Sequence, residues 1–202
     1  MKNFILGAAV ALSIGLPATA LAQRVPNAQV IVVDTERVFR ECTACVAAQA
    51  QLQGLATALQ QRQQALGAPL QTEETSIQQA AAAARNATGA ARTSAEAALQ
   101  QRMTALQQRA TAATTELRNL ENNLRSSQAN VMQQINARLN PIINQVMTAR
   151  GANLAVDTGQ SLTHAAALNV TDQVLQTLNQ QLPAVTVAPL PQQAQPAPQP
   201  GR

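Results

Sequence analysis

Residues 99–146 read LQQRMTALQQRATAATTELRNLENNLRSSQANVMQQINARLNPIINQV. Apolar side chains fall at Leu99, Met103, Leu106, Ala110, Ala113, Leu117, Leu120, Leu124, Val131, Ile135, Leu139, Ile142 and Val146. The steps alternate between three and four, with one longer gap around Ser127 and Gln128. That is the spacing of a helix whose narrow apolar seam lies against another helix. The rod would be roughly 70 Å long, too long to sit inside a globule, so it needs a partner along its length.

The preceding residues supply one. Leu52, Leu55, Leu59, Leu66, Leu70 and Ile77 carry the same pattern, with the stem of Arg62 filling one seam position. Pairing positions whose numbers sum to about 176 sets Ile77 against Leu99, Leu70 against Leu106, Leu59 against Leu117 and Leu52 against Leu124. The fold-back then falls near Thr88 and Gly89, inside the turn-forming run Arg85-Asn86-Ala87-Thr88-Gly89. Register and turn chemistry thus predict a long antiparallel helical hairpin. Gly67-Ala68-Pro69 is expected to interrupt and kink the outgoing arm, and Pro141 the return arm.

On either side of the hairpin the pattern changes. Gln29-Val30-Ile31-Val32-Val33 is apolar on both faces and predicts a buried strand. Asp34 and Thr35 are capable caps for a short helix through Phe39. The return arm stops at Arg150 and Gly151. Asn153–Asp157 predicts a second strand, Thr158-Gly159-Gln160 a turn, and Ser161–Ala165 a third strand with His164 in it, to which no role is assigned. Asn169-Val170-Thr171-Asp172 caps a last helix carrying Val174, Leu175, Leu178 and Leu182, closed by Pro183. The expected organisation is residues 23–46 as a first part of a body, 47–150 as the hairpin with its tip near 86–92, and 151–182 as the second part. Residues 183–202 are a disordered or extended Pro/Gln-rich tail. The fold class is α+β and mostly helical. Strands so few and short form no stable sheet alone, which favours completing the core between subunits.

Composition agrees with close-packed helices: 46% of residues are hydrophobic, yet Trp and Tyr are absent and Phe occurs twice. Residues 1–22 read as a signal peptide. Lys2 precedes an apolar run from Phe4 to Leu16, and Ala20-Leu21-Ala22 places cleavage after Ala22. The remaining chain carries 13 Arg against 10 acidic residues, a formal +3, and between Arg85 and Arg150 eight Arg face three Glu, a local +5. A basic rod suits an acidic partner, transient contact with a membrane surface, or a merely solvated face. Arg85, Arg92, Arg102 and Arg109, on the outer half, are the candidates for contact with such a partner. Export and the lack of stacking aromatics exclude a nucleic-acid role. Catalysis finds no phosphate-binding Gly loop, no nucleophile with its base and no carboxylate–histidine cluster, so no cofactor or metal is expected.

Cys42-Thr43-Ala44-Cys45 leaves three readings open. One is an intrachain disulfide, with the i and i+3 Cα atoms of a helix roughly 5 Å apart and side-chain angles that need distortion. The others are free or intermolecular thiols, and a thioredoxin-like redox pair, which needs a larger sheet than this chain offers.

Taken together, Val30–Phe39, the long glutamine-rich hairpin, Ile135–Gly151 leading into Leu154-Ala155-Val156-Asp157, and Asn169–Leu175 resemble the OmpH/Skp family of periplasmic chaperones over about residues 29–182. The resemblance implies a homotrimer with a small β-containing trimerisation body and three hanging tentacles. Their cavity would hold unfolded outer-membrane proteins and prevent their aggregation without ATP. The alternative is a structural coiled-coil adaptor of the envelope that offers its Pro-rich tail as a ligand.

Overall fold

The computed structural model describes residues 27–190. The expected leader, residues 1–22, and residues 191–202 of the tail lie outside them. Val30–Val33 forms β1 and Leu154–Asp157 forms β2, paired in parallel with Val30 opposite Leu154 and Val33 opposite Asp157. Parallel neighbours need a crossover, and here the crossover is the entire hairpin.

The first helix, α1 (Thr35–Glu41), begins where the Asp34 carboxylate accepts the Arg37 N–H at 2.7 Å. Helix α2 (Thr43–Asn86) runs out, and α3 (Gly89–Ala149) returns. Only Ala87 and Thr88 separate them, because Gly89 takes φ +59° and turns the chain without a Cβ penalty. The cross-arm pairs Arg62–Glu116 and Glu73–Arg102 sum to 178 and 175, close to the register read from the leucines.

Two expectations for the hairpin need correcting. Neither Pro69 nor Pro141 interrupts its helix. Each deprives the carbonyl four residues earlier of its donor. Those carbonyls belong to Ala65 and Ala137, both exposed, so solvent can take the donor's place. The gap in the seam is not empty either. Ser127 sits there, 1% exposed, and carries the three–four stepping from Leu124 to Val131 with a small side chain.

At its lower end α3 leaves the hairpin seam and enters the body. Val131, Ile135, Leu139, Ile142 and Val146 are buried with Ile31 and Val33 of β1, Val38 of α1, Ala44, Cys45 and Ala48 of α2, and Val174 and Leu178 of α4 (Thr171–Gln181). The helix stops in a Schellman turn: Gly151 N–H bonds the Thr148 carbonyl and Ala152 N–H the Met147 carbonyl, with Gly151 at φ +65°. Asn153 then ties the entry of β2 to the start of the described chain. It accepts from the Gln29 N–H at 2.8 Å and donates to the Asn27 carbonyl at 2.9 Å.

The third expected strand does not form. Residues 158–160 and 166–168 are single 3-10 turns, and residues 161–165, His164 among them, are irregular. What pairs with the free side of β1 is one residue: Asn169 bridges Val32, and the Val170 N–H bonds the Val32 carbonyl. A single bridge suffices because Thr171 takes over. Its buried hydroxyl accepts the Asp34 N–H at 2.9 Å and donates to Asn169 Oδ1, locking α4 to the end of β1.

The first part of the tail takes the extended form: residues 184–190 lie along α3, with Val185 and Val187 packed on the body core.

Candidate functional site

The arms meet at Leu and Ala positions, which leave the seam shallow. Grooves open along it. The lowest, of about 520 Å³, is walled by Leu55, Leu59, Leu120, Leu124 and Ser127, with Val187 and Pro189 of the tail at its edge. The middle one, of about 280 Å³, lies around Leu66, Pro69, Leu70, Ala112 and Ala113. The outer one, of about 490 Å³, lies between Leu70 and Ile77 on α2 and Met103, Leu106 and Ala110 on α3. All are mainly apolar and open to solvent. Met103 and Leu55 are themselves exposed.

Polar cross-links bridge the grooves. Arg62 reaches from α2 to both oxygens of Glu116, at 2.6 and 3.0 Å, so its head makes an ion pair beyond the stem's place in the seam. Arg102 reaches from α3 to Glu73 at 2.9 Å and to the Ser76 hydroxyl at 2.8 Å. The Arg62 hydrogen bond holds the Glu116 carboxyl below the usual range, and the Arg102 hydrogen bond does the same for Glu73, with a smaller contribution from the charge of Arg109.

The four candidate arginines therefore divide. Arg102 is an arm-to-arm clamp. Arg92 is held by Glu96 one turn on, at 2.8 Å. Arg85 ends α2 beside the tip, and Arg109 edges the middle groove; both are exposed and make no ion pair among the described residues. Arg118, Arg125 and Arg138 are free in the same sense, further down α3.

Cys42 and Cys45 are joined in a disulfide with Cα atoms 5.1 Å apart. The distortion expected of two helical cysteines does not arise. Cys42 is the extended residue between α1 and α2 (φ −65°, ψ 137°), so only Cys45 lies in a helix. Both are buried in the body core.

In the body, Asp157 accepts from the backbone and hydroxyl of Thr35 and from the Gly159 N–H. The Thr35 hydroxyl is the main cause of its lowered pKa. Asp172 pairs with Arg37 at 2.8 Å. Among the described residues no helix is long and apolar enough to cross a membrane.

One polar row escaped the sequence reading: Ser126, Asn130 and Gln134 on α3, all bonded to the tail. Their spacing of four was visible, but nothing in it distinguished them from other wet positions on the helix.

A small parallel-sheet body that sends out one unbroken helical hairpin defines a tentacle-bearing class of fold. Residues 29–178 match the family described as outer membrane protein (OmpH-like), and the chain belongs to that family. Its structure is similar to the crystal structure of a Caulobacter crescentus CB15 protein assigned as an OmpH-like outer membrane chaperone. The TM-score is 0.56 at 20% identity, over 84% of this chain and 96% of that one. No curated protein matches the sequence.

Proposed function

We propose that this chain is an ATP-independent periplasmic holdase that keeps unfolded outer-membrane proteins from aggregating. The observation that carries the reading is the seam itself. Two long arms leave open apolar grooves along their length, and the middle one is edged by Arg109, which makes no ion pair among the described residues. Net positive charge draws acidic clients from a distance. Shallow grooves of Leu, Ala and Met then give many weak contacts that exchange without an energy source. Family membership and the chaperone assignment of the Caulobacter neighbour support it.

The working unit is a homotrimer. One edge of β2 is paired by β1; Leu154, on β2, is 47% exposed and Leu162 is fully exposed. Sister chains covering this side would remove an open sheet edge and an apolar face together. Arg85 and Arg109 are the client contacts, whereas Arg102 holds the arms together.

The test is dilution of a denatured outer-membrane β-barrel protein into buffer with one trimer equivalent per client, followed by light scattering. Scattering should fall. Unchanged scattering would leave the envelope-adaptor reading in its place. Arg85→Glu combined with Arg109→Glu should speed client release, most clearly at low salt; an unchanged release rate would return both to a solvated face.

A further inference from the structure

The docked tail shows what the hairpin can bind. The Gln134 side-chain amide donates to the Thr186 carbonyl at 2.9 Å and accepts the Thr186 N–H at 3.0 Å. Asn130 donates to the Ala188 carbonyl at 2.9 Å, and the Leu190 N–H bonds the Ser126 hydroxyl at 2.8 Å. A further bond from Gln134 to Asn130 Oδ1, at 3.1 Å, orients the pair. Every contact of this row with the tail is to backbone, so it takes no account of the tail's side chains.

The spacing is the physical reason it works. Partners on the tail are two residues apart, and those on α3 are four apart, in opposite order. Four helical residues rise about 6 Å, and two extended residues advance about 6.6 Å. A helix face with an amide or hydroxyl at every fourth position is thus a ladder in step with an extended, antiparallel peptide. The residues between the rungs supply the rest: Val185 and Val187 pack on the core, and Val187 and Pro189 edge the lowest groove. Ser127 lines that groove with a small side chain.

We propose that Ser126, Asn130 and Gln134 form a binding site for the backbone of an extended polypeptide with alternating apolar residues, occupied in cis by residues 184–190 and contested by strands of an unfolded client. The identity of the competitor rests on the holdase reading; the site itself does not. A strap joined to the body through Leu182 and Pro183 is present at high effective concentration, so even a weak segment keeps the row filled until a client outcompetes it. Alternation of apolar and polar residues is the pattern of membrane β-strands, which the strap's Val185-Thr186-Val187 repeats in miniature.

The experiment uses the full mature chain and two variants. Val185→Asp with Val187→Asp releases the strap and leaves the row intact. Gln134→Met removes two rungs at nearly constant volume. A labelled peptide of residues 183–190 is titrated against each and followed by fluorescence anisotropy. The released variant should bind it about tenfold more tightly than the parent chain, in which the strap competes; Gln134→Met added to the released variant should abolish the gain. An unfolded β-barrel client should bind the released variant several-fold more tightly, and free peptide should compete it off. No peptide binding by the released variant, or binding indifferent to Gln134→Met, overturns the site. Client affinity unchanged on release overturns the competition. If no form of the chain retains client, the holdase reading fails while the peptide titration still decides the row. Should the double Asp variant misfold, Thr186→Pro deletes the strap's N–H at Gln134 and serves the same comparison.

Discussion

The two ends of the hairpin are held by different means. At the base, Val131, Ile135, Leu139, Ile142 and Val146 are each at most 4% exposed and meet branched side chains from four other elements. Toward the tip the seam is buried only at scattered places, Ile77, Ala84 and Ala113, while Met103 beside them is 53% exposed. Alanine removes little surface from water, whereas a buried Val, Leu or Ile contributes about 1.5–3 kcal/mol. Stability is therefore concentrated where the arms are rooted. The outer arms gain little from closing against each other.

The sharpest way to break that contrast is to cut the same kind of group from each end. Leu178, 0% exposed in α4, should cost about 2–5 kcal/mol when changed to Ala. Ile77→Ala in the arm should cost distinctly less, because its site is open on one side and can collapse. Urea denaturation of both variants makes the comparison; equal losses would mean that the arm is as tightly built as the body. Hydrogen exchange should agree, with amides of α4 and lower α3 opening only with global unfolding and those near the tip opening locally.

A smaller effect, also confined to the base, is expected of the Cys42–Cys45 link. A bond that closes so short a loop constrains the unfolded chain by only about 2 kcal/mol. Replacing both cysteines with Ser should lower stability by that order and leave exchange at the tip unchanged. Because both sulfurs are buried, mild reductant should act slowly on the folded chain and quickly in urea. Fast reduction without denaturant would contradict a structural role.

What was legible follows the same division. Leucine spacing gave the seam, and the matching stripe on residues 52–77 together with the turn at Thr88 and Gly89 gave the hairpin and its register. The caps at Asp34 and Gly151 were legible because they depend on one side chain and one backbone angle. The body was read less well. Ser161–Ala165 has strand-like residues, but the place beside β1 is filled by Asn169, whose side chain also holds Thr171. That choice depends on tertiary partners no local window contains. The docked tail was hidden by its composition: Pro and Gln dominate after Leu190, and they masked the short alternation Val185-Thr186-Val187. The division of the arginines was hidden too, since whether Arg102 faces Glu73 or solvent depends on the other arm.

The smallest and most selective effect separates the two ends by acid. Glu73 and Glu116 have folded pKa values depressed by Arg102 and Arg62, and Asp157 is depressed chiefly by the Thr35 hydroxyl. A depressed carboxylate adds stability that is fully present above its unfolded value, about pH 4. That stability is lost as pH falls through the lower folded value. All three should therefore weaken the fold on the acid side of about pH 4 and none above it. Salt then distinguishes them. The arm carboxylates are stabilised by guanidinium charges, exposed at Arg62 and half-buried at Arg102, which ions screen. Asp157 owes its shift to neutral donors at short range, which ions leave alone. Carboxyl-carbon NMR titrations at low and high salt should show Glu73 and Glu116 moving back toward ordinary values as salt rises while Asp157 stays low. Arm separation, followed by a fluorophore pair across α2 and α3, should increase with acid before the body responds. If Glu73 and Glu116 prove as indifferent to salt as Asp157, the cross-arm pairs are better shielded than their exposure implies, and the outer arms are clamped rather than free to open.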